Sequence, residues 1–207
     1  GKKFVFASEI KSILKAGIRT SINKETLYFY LNYGYTPTNK SIFSNVHKLE
    51  AGCTLLFKDS KIDIERYWQI DFSDKIDNDE DFFIKKIREH LDLAVRRRMI
   101  ADVPVGAFLS GGLDSSAIVA YAKKYKNNLK TFSISFDYSQ FNESKYARMV
   151  SEKFETEHHE LSFDADDVTE LLPKLVKQYD EPFGDPSMIP TYLVSKVARK
   201  HVTVSLS

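Results

Sequence analysis

From residue 81 onward, short apolar runs alternate with longer segments whose apolar residues recur every three or four positions. The runs "VGAFLS" (105–110), "TFSISF" (131–136), "HHELSF" (158–163) and "VTVSLS" (202–207) read as strands. In "EDFFIKKIREHLDLAVRRRMIA" the apolar positions Phe83, Ile87, Leu91 and Val95 keep a near-helical spacing, and further helices are predicted over about 114–126, 142–155, 164–178 and 188–200. Strands that alternate with helices of this length need crossover connections, which predicts an α/β fold with a parallel sheet and helices on both faces.

The first seventy residues are patterned differently. "KFVFAS" reads as a short strand, "SEIKSILKAG" as a helix stopped by Gly17, and "NKETLYFYLNYG" as a helix stopped by Gly34. "CTLLFK" and "KIDIERYW" read as two strands joined by a turn at Asp59 and Ser60. This stretch is small for a domain and begins on a strand, so the expectation is the C-terminal part of a preceding domain over 1–70. The acidic, apolar-poor stretch 71–80 is then a linker, and 81–207 the α/β domain.

Composition narrows the partners. The chain has 30 Lys and Arg against 29 Asp and Glu, a net charge of +1, so nothing in the balance calls for nucleic acid or an anionic membrane, and small molecules are the expected partners. No run approaches the roughly 18 to 20 apolar residues of a membrane span. A single cysteine, Cys53, cannot form an internal disulfide and suits a reducing compartment, so a cytoplasmic location is expected.

The candidate chemistry sits in "SGGLDSS", between a predicted strand and a predicted helix. Gly111 and Gly112 remove side chains where a ligand would approach the backbone, and the following helix offers N–H groups and its positive dipole end to an anion. Ser110, Ser115 and Ser116 add hydroxyls. Asp114 would repel a phosphate unless a cation lies between them, and Mg²⁺ is the natural bridge. The lysine of a Walker loop is missing, so this is a phosphate loop of another kind.

Ser110, Gly111, Gly112, Leu113, Asp114 and Ser115 carry the Ser-Gly-Gly-x-Asp-Ser signature, and the segment resembles the pyrophosphate loop of the N-type ATP pyrophosphatases, with their adenine nucleotide alpha hydrolase-like fold. With the flanks "RRRMIADVPVGAFLSGGLDSSAIVA" and "YDEPFGDPSMIPTYLVSKVARKHVTVSLS", the resemblance narrows to the glutamine-hydrolysing asparagine synthetase family. Upstream, "FASEIKSIL", "LNYGYTP", "IFSNVHKLEAG" and "IERYW" resemble the end of that family's glutaminase domain. The resemblance covers essentially the whole chain and implies an internal slice of a longer enzyme.

What the resemblance implies is an ATP-dependent ligase. It adenylates the side-chain carboxylate of aspartate with loss of pyrophosphate, and ammonia from glutamine then displaces AMP. By resemblance, Ser110, Gly111, Gly112, Asp114 and Ser115 hold the phosphates, with Asp114 on Mg²⁺. Phe108 or Leu109 and Ile134 match positions that pack on adenine, and Ser207 matches the serine opening the second ATP loop. Asp180, Glu181 and Asp185 are candidates for the substrate side, against the plainer reading of a turn with a helix cap. A homodimer of the full-length enzyme is also compatible with the resemblance.

Two features depart from the pattern. The family's glutaminase nucleophile is an N-terminal cysteine and Gly1 is not one, while Cys53 reads as a packed apolar residue, so this chain by itself is expected to be inactive. The segment "DEPFGDPSMIPTYL" fits a broad bacterial branch, some of which amidates sugar or other carboxylates. A β-lactam-forming synthetase and a nucleotide-binding module without turnover remain the alternatives. Elsewhere, "RRR" at 96–98 reads as charges complementing a helix end, the aromatic run 28–35 as packing, and the adjacent His158 and His159 as pointing to opposite faces of a strand, one buried and one solvated.

Overall fold

In the computed structural model, which describes residues 3–37, 39–136, 143–163 and 165–207, the chain divides into two compact units. One comprises Gly1–Ile76 with Leu172–Pro186, the other Asp77–Leu171 with Ser187–Ser207.

The first unit holds α1 (Ile10–Lys15), α2 (Lys24–Tyr33) and an antiparallel hairpin of β1 (Cys53–Lys58) and β2 (Lys61–Arg66). Asn23 caps α2 by accepting the Thr26 N–H at 3.2 Å, and Gly34 ends the helix at φ 75°, the left-handed stop read from the sequence. Gly17 follows α1 at φ 81°. Asp59 and Ser60 form the hairpin turn, both at positive φ (51° and 61°), as a two-residue turn matched to strand twist requires. The expected strand over "KFVFAS" is not formed: residues 3–7 have no regular structure. Its pattern suits a strand, but a strand exists only with a partner, and none is paired with it among the described residues.

The second unit opens with α3 (Glu80–Arg98). Asp79 caps it through the Phe82 N–H at 2.8 Å, acids fill its first turn, and Arg96, Arg97 and Arg98 fill its last, where they complement the helix dipole. Of its predicted apolar stripe, Val95 is buried and Leu91 partly so, whereas Phe83 and Ile87 are exposed. Then follow β3 (Val105–Phe108), α4 (Leu113–Lys123), β4 (Lys130–Phe136), α5 (Ser144–Lys153), β5 (Glu157–Phe163), α6 (Ala165–Gln178), α7 (Met188–Ala198) and β6 (Val204–Leu206). The division between the units falls inside α6.

The four strands form one parallel sheet in the order β5-β4-β3-β6. Alternation along β3 sends Val105, Ala107 and Leu109 to one face, where they pack with Val95 of α3, Val119 and Ala122 of α4 and Ala147 of α5. Phe108 goes to the other face and joins Phe132, Val194, Val197, Ala198 and Val202. Both faces are thus covered, as a parallel sheet requires. Gly106 permits the close packing: a Cβ there would lie 2.8 Å from the Phe132 ring and 2.9 Å from the Lys130 carbonyl oxygen.

Candidate functional site

The strand order places a reversal at β3. The chain leaves β3 through α4 to β4 and β5 on one side, and comes back to β6 on the other. In open α/β sheets a ligand crevice forms outside the carboxyl ends of the strands at such a switch point. The segment Ser110–Ser115 leaves the carboxyl end of β3 here, and Ser207 follows Leu206, the register partner of Ala107.

Local bonding shapes the loop. The Ser110 hydroxyl accepts the Gly112 N–H at 3.2 Å and lies 3.0 Å from the Ser115 hydroxyl, which donates to the Gly112 carbonyl at 3.2 Å. Gly112 stands at the N-cap of α4 and no side chain caps that end, so the first N–H groups of the helix look outward for an acceptor. Gly111 has φ 85°, and a Cβ on it would sit 2.5 Å from both the Ala147 nitrogen and the Tyr146 Cβ at the start of α5. Gly112 differs: a Cβ there would meet only the Ser110 hydroxyl, at 3.4 Å. One glycine lets the loop pack on α5, and the other leaves open space over the helix end. Asp114 lies exposed in the first turn of α4.

Beside the loop is a cavity of about 270 Å³ lined by Phe108, Leu109, Ser110 and Ile134, four residues singled out from the sequence. Pro190, Thr191 and Val194 of α7 and Glu143 before α5 complete much of the lining, and sequence reasoning did not single them out. Pro190 and Thr191 stand in "DPSMIPTYL", a stretch that carries part of the family resemblance without a role for either residue. The segment "DYSQFNES" follows the end of β4 and is by its position a further candidate for the site; its residues 137–142 lie outside the described residues.

Asp180 and Glu181 belong to the first unit and have partners there. Asp180 accepts the N–H groups of Ile10 (2.7 Å) and Lys11 (3.1 Å), supplying the α1 cap that Glu9 does not. Glu181 accepts the Ile42 N–H at 2.6 Å, the Thr36 hydroxyl at 2.9 Å and the Lys48 ammonium at 2.9 Å. Asp185 lies in the same segment, whose Gly184 N–H donates to the Gly34 carbonyl at 2.7 Å. Cys53 is half-buried on β1.

His158 and His159 do point to opposite faces, but both are half-buried, so the expected split into one buried and one solvated ring is not found. His158 lies between the hydroxyls of Thr131 (2.9 Å) and Ser133 (3.0 Å), and burial holds its imidazole below the ordinary value while Glu160 pulls the other way. His159 stacks on Phe132 and on His201. The Arg148 guanidinium, bonded twice to Glu160 at 2.7 Å, keeps that carboxyl below the usual range.

Comparison with known proteins finds two family models on different stretches of the chain. A family model described as asparagine synthase matches residues 86–207, and one described as a glutamine amidotransferase domain matches residues 1–68. A Methanocaldococcus jannaschii protein provisionally named glutamine-hydrolyzing asparagine synthetase 2 is 42% identical over 213 residues, covering 100% of this chain and 41% of its own length. The glutamine-hydrolyzing asparagine synthetases 1 and 3 of Bacillus subtilis are 37% and 32% identical, covering 98% and 88% of this chain and 32% of each relative. The chain therefore spans less than half the length of these curated relatives.

Proposed function

This chain belongs to the asparagine synthase family, and from that premise we propose that the protein containing it is an ATP-dependent, amide-forming ligase that uses glutamine as its nitrogen source. In the proposed reaction a side-chain carboxylate oxygen of aspartate attacks the α phosphorus of ATP. The bond between the α phosphorus and the bridging oxygen breaks, and pyrophosphate leaves. Ammonia then attacks the acyl carbon of the mixed anhydride, giving asparagine and AMP.

The observation that carries this reading is the loop Ser110–Ser115 at the switch point, with an uncapped helix end, an open Gly112 and an apolar cavity beside it. Of the alternatives Phe108 and Leu109, Phe108 would hold the adenine together with Ile134, because the Leu109 side chain is buried in the core on the opposite face. The N–H groups at the start of α4 and the hydroxyls of Ser110 and Ser115 would hold the phosphates, stabilising charge on the departing pyrophosphate. The exposed Asp114 carboxylate, a hard oxygen donor beside serine hydroxyls, fits Mg²⁺. When bound, the ion would supply charge neutralisation to the phosphates. Ser207 would open a second phosphate-facing segment at the end of β6.

We assign residues 81–207 to an N-type ATP pyrophosphatase domain of the adenine nucleotide alpha hydrolase type, 71–80 to a linker and 1–70 to the end of a glutaminase domain. The substrates proposed are ATP, aspartate and glutamine. No described helix is long and apolar enough to cross a membrane, and with one cysteine the cytoplasm is the proposed location. Isotope exchange between labelled pyrophosphate and ATP in the full-length protein, screened over carboxylic acids, tests the reading. Exchange dependent on aspartate and Mg²⁺ is expected. Absence of exchange with every acid tested would remove adenylation, and exchange with a different acid alone would replace the acceptor.

A further inference from the structure

Three donor groups that play no part in the proposed reaction converge at the amino ends of β4 and β5, on the face covered by α7. Glu157 and His159 stand two residues apart on β5 and share that face. His201, in the turn between α7 and β6, stacks on His159 with ring centroids 3.9 Å apart. Both imidazoles lie against the fully buried Phe132, at 5.4 Å for His159 and 5.9 Å for His201. His159 Nε2 is 3.0 Å from Glu157 Oε1, and one donor atom from each of the three residues lies within 4.8 Å of the others.

We propose that Glu157, His159 and His201 form a binding site for a divalent transition metal of the zinc class. Two imidazoles and a carboxylate are ligands that zinc accepts, whereas magnesium prefers oxygen alone, so this set would not compete for the ion held by Asp114. Zinc bonds of about 2.1 Å in a tetrahedron separate the donors by roughly 3.4 Å, so side-chain rotation suffices to close the site. The backbone is already arranged for it: β5 supplies two donors at fixed spacing, the turn after α7 supplies the third, and Phe132 backs both rings. Glu157 is exposed, leaving room for a water as the fourth ligand.

Register pairs Lys130 with Glu157, and the Lys130 ammonium lies 3.2 Å from Glu157 Oε1. Without metal, that ammonium neutralises the carboxylate. A bound cation displaces it, and the cross-link then ties the turn that feeds β6 to strand β5. The site stands at the opposite end of the strands from the phosphate loop, which gives it a structural role.

The test uses the full-length protein, stripped with EDTA and titrated with CoCl₂, then ZnCl₂. One equivalent of cobalt should give the visible absorption of a four-coordinate site, discharged by zinc and untouched by excess MgCl₂. His201→Gln should abolish that equivalent, Glu157→Gln should weaken zinc binding by about tenfold or more, and Lys130→Gln should tighten it severalfold by removing the competing cation. If His201→Gln does not fold, the variants of the exposed Glu157 and the half-buried Lys130 carry the test. Equal metal uptake by wild type and the His201 or Glu157 variant overturns the proposal, as does loosened binding in Lys130→Gln. Because these residues lie outside the phosphate loop, pyrophosphate exchange retained by all three variants separates this outcome from that of the ligase reading.

Discussion

The two adjacent glycines of the loop Ser110–Ser115 look alike in sequence, yet the structure gives them different work. Gly111 has φ 85° and its missing Cβ would press on backbone atoms of α5 at 2.5 Å, which cannot yield as a flexible side chain would. Gly111→Ala is therefore expected to cost about 3 kcal/mol or more, visible as a lowered midpoint in denaturant unfolding. Gly112 has an ordinary φ of −67° and open space before it. Gly112→Ala should stay within about 1 kcal/mol of wild type, while the methyl group occupies the approach to the α4 N–H groups and suppresses pyrophosphate exchange. If Gly112→Ala unfolds the protein as readily as Gly111→Ala, the two glycines do the same work after all. The motif that needs both glycines was legible in the sequence. The reason for each was not, because the atoms crowding Gly111 lie some thirty-five residues further along the chain, at Tyr146 and Ala147.

At the scale of elements, what could be read locally was read and what depends on distant partners was not. The strands β3 to β6 and their helices followed from periodicity, and the α2 and hairpin stops followed from Gly34 and the Asp59–Ser60 turn. Residues 3–7 carry a strand pattern without a partner among the described residues, and Phe83 and Ile87 carry a helical stripe that stays exposed. The segment around Asp180 and Glu181 gave no local sign of its docking, since its partners Ile10 and Ile42 are 170 and 139 residues away. That docking makes a prediction. The Glu181 side chain is 16% exposed and accepts three hydrogen bonds, so Glu181→Ala leaves the Ile42 N–H without its acceptor, while Lys48 keeps its bonds to Thr36, and should destabilise the first unit by about 1–3 kcal/mol. A thermal midpoint unchanged from wild type, with a raised KM for the acceptor acid, would instead put Glu181 on the substrate. The hairpin offers a gain: Asp59→Asn with Ser60→Gly suits two left-handed positions better and should add about 1 kcal/mol, measured on the same unfolding curve.

For the whole molecule, the two family matches fall on different stretches, 1–68 and 86–207, and the proposed phosphate loop lies wholly within the second. The two chemistries should therefore separate by mutation. Asp114 is exposed and contributes to the fold chiefly as a first-turn acid near the α4 dipole, a contribution of about 0.5 kcal/mol. Asp114→Asn keeps the shape and removes the charge, so its unfolding midpoint should stay close to wild type. Pyrophosphate release in the full-length protein should fall by about two to three orders of magnitude, the scale seen when a preorganised electrostatic partner of the departing group is removed. Glutamine hydrolysis measured without ATP should persist, because Asp114 lies in the second family match and the glutamine amidotransferase match covers 1–68. Parallel assays of pyrophosphate, glutamate and thermal midpoint on one preparation decide the matter. Undiminished pyrophosphate release takes Asp114 out of the magnesium site, and loss of glutamate formation at an unchanged midpoint means that the loop governs the other chemistry as well, so that the two halves act as a single device.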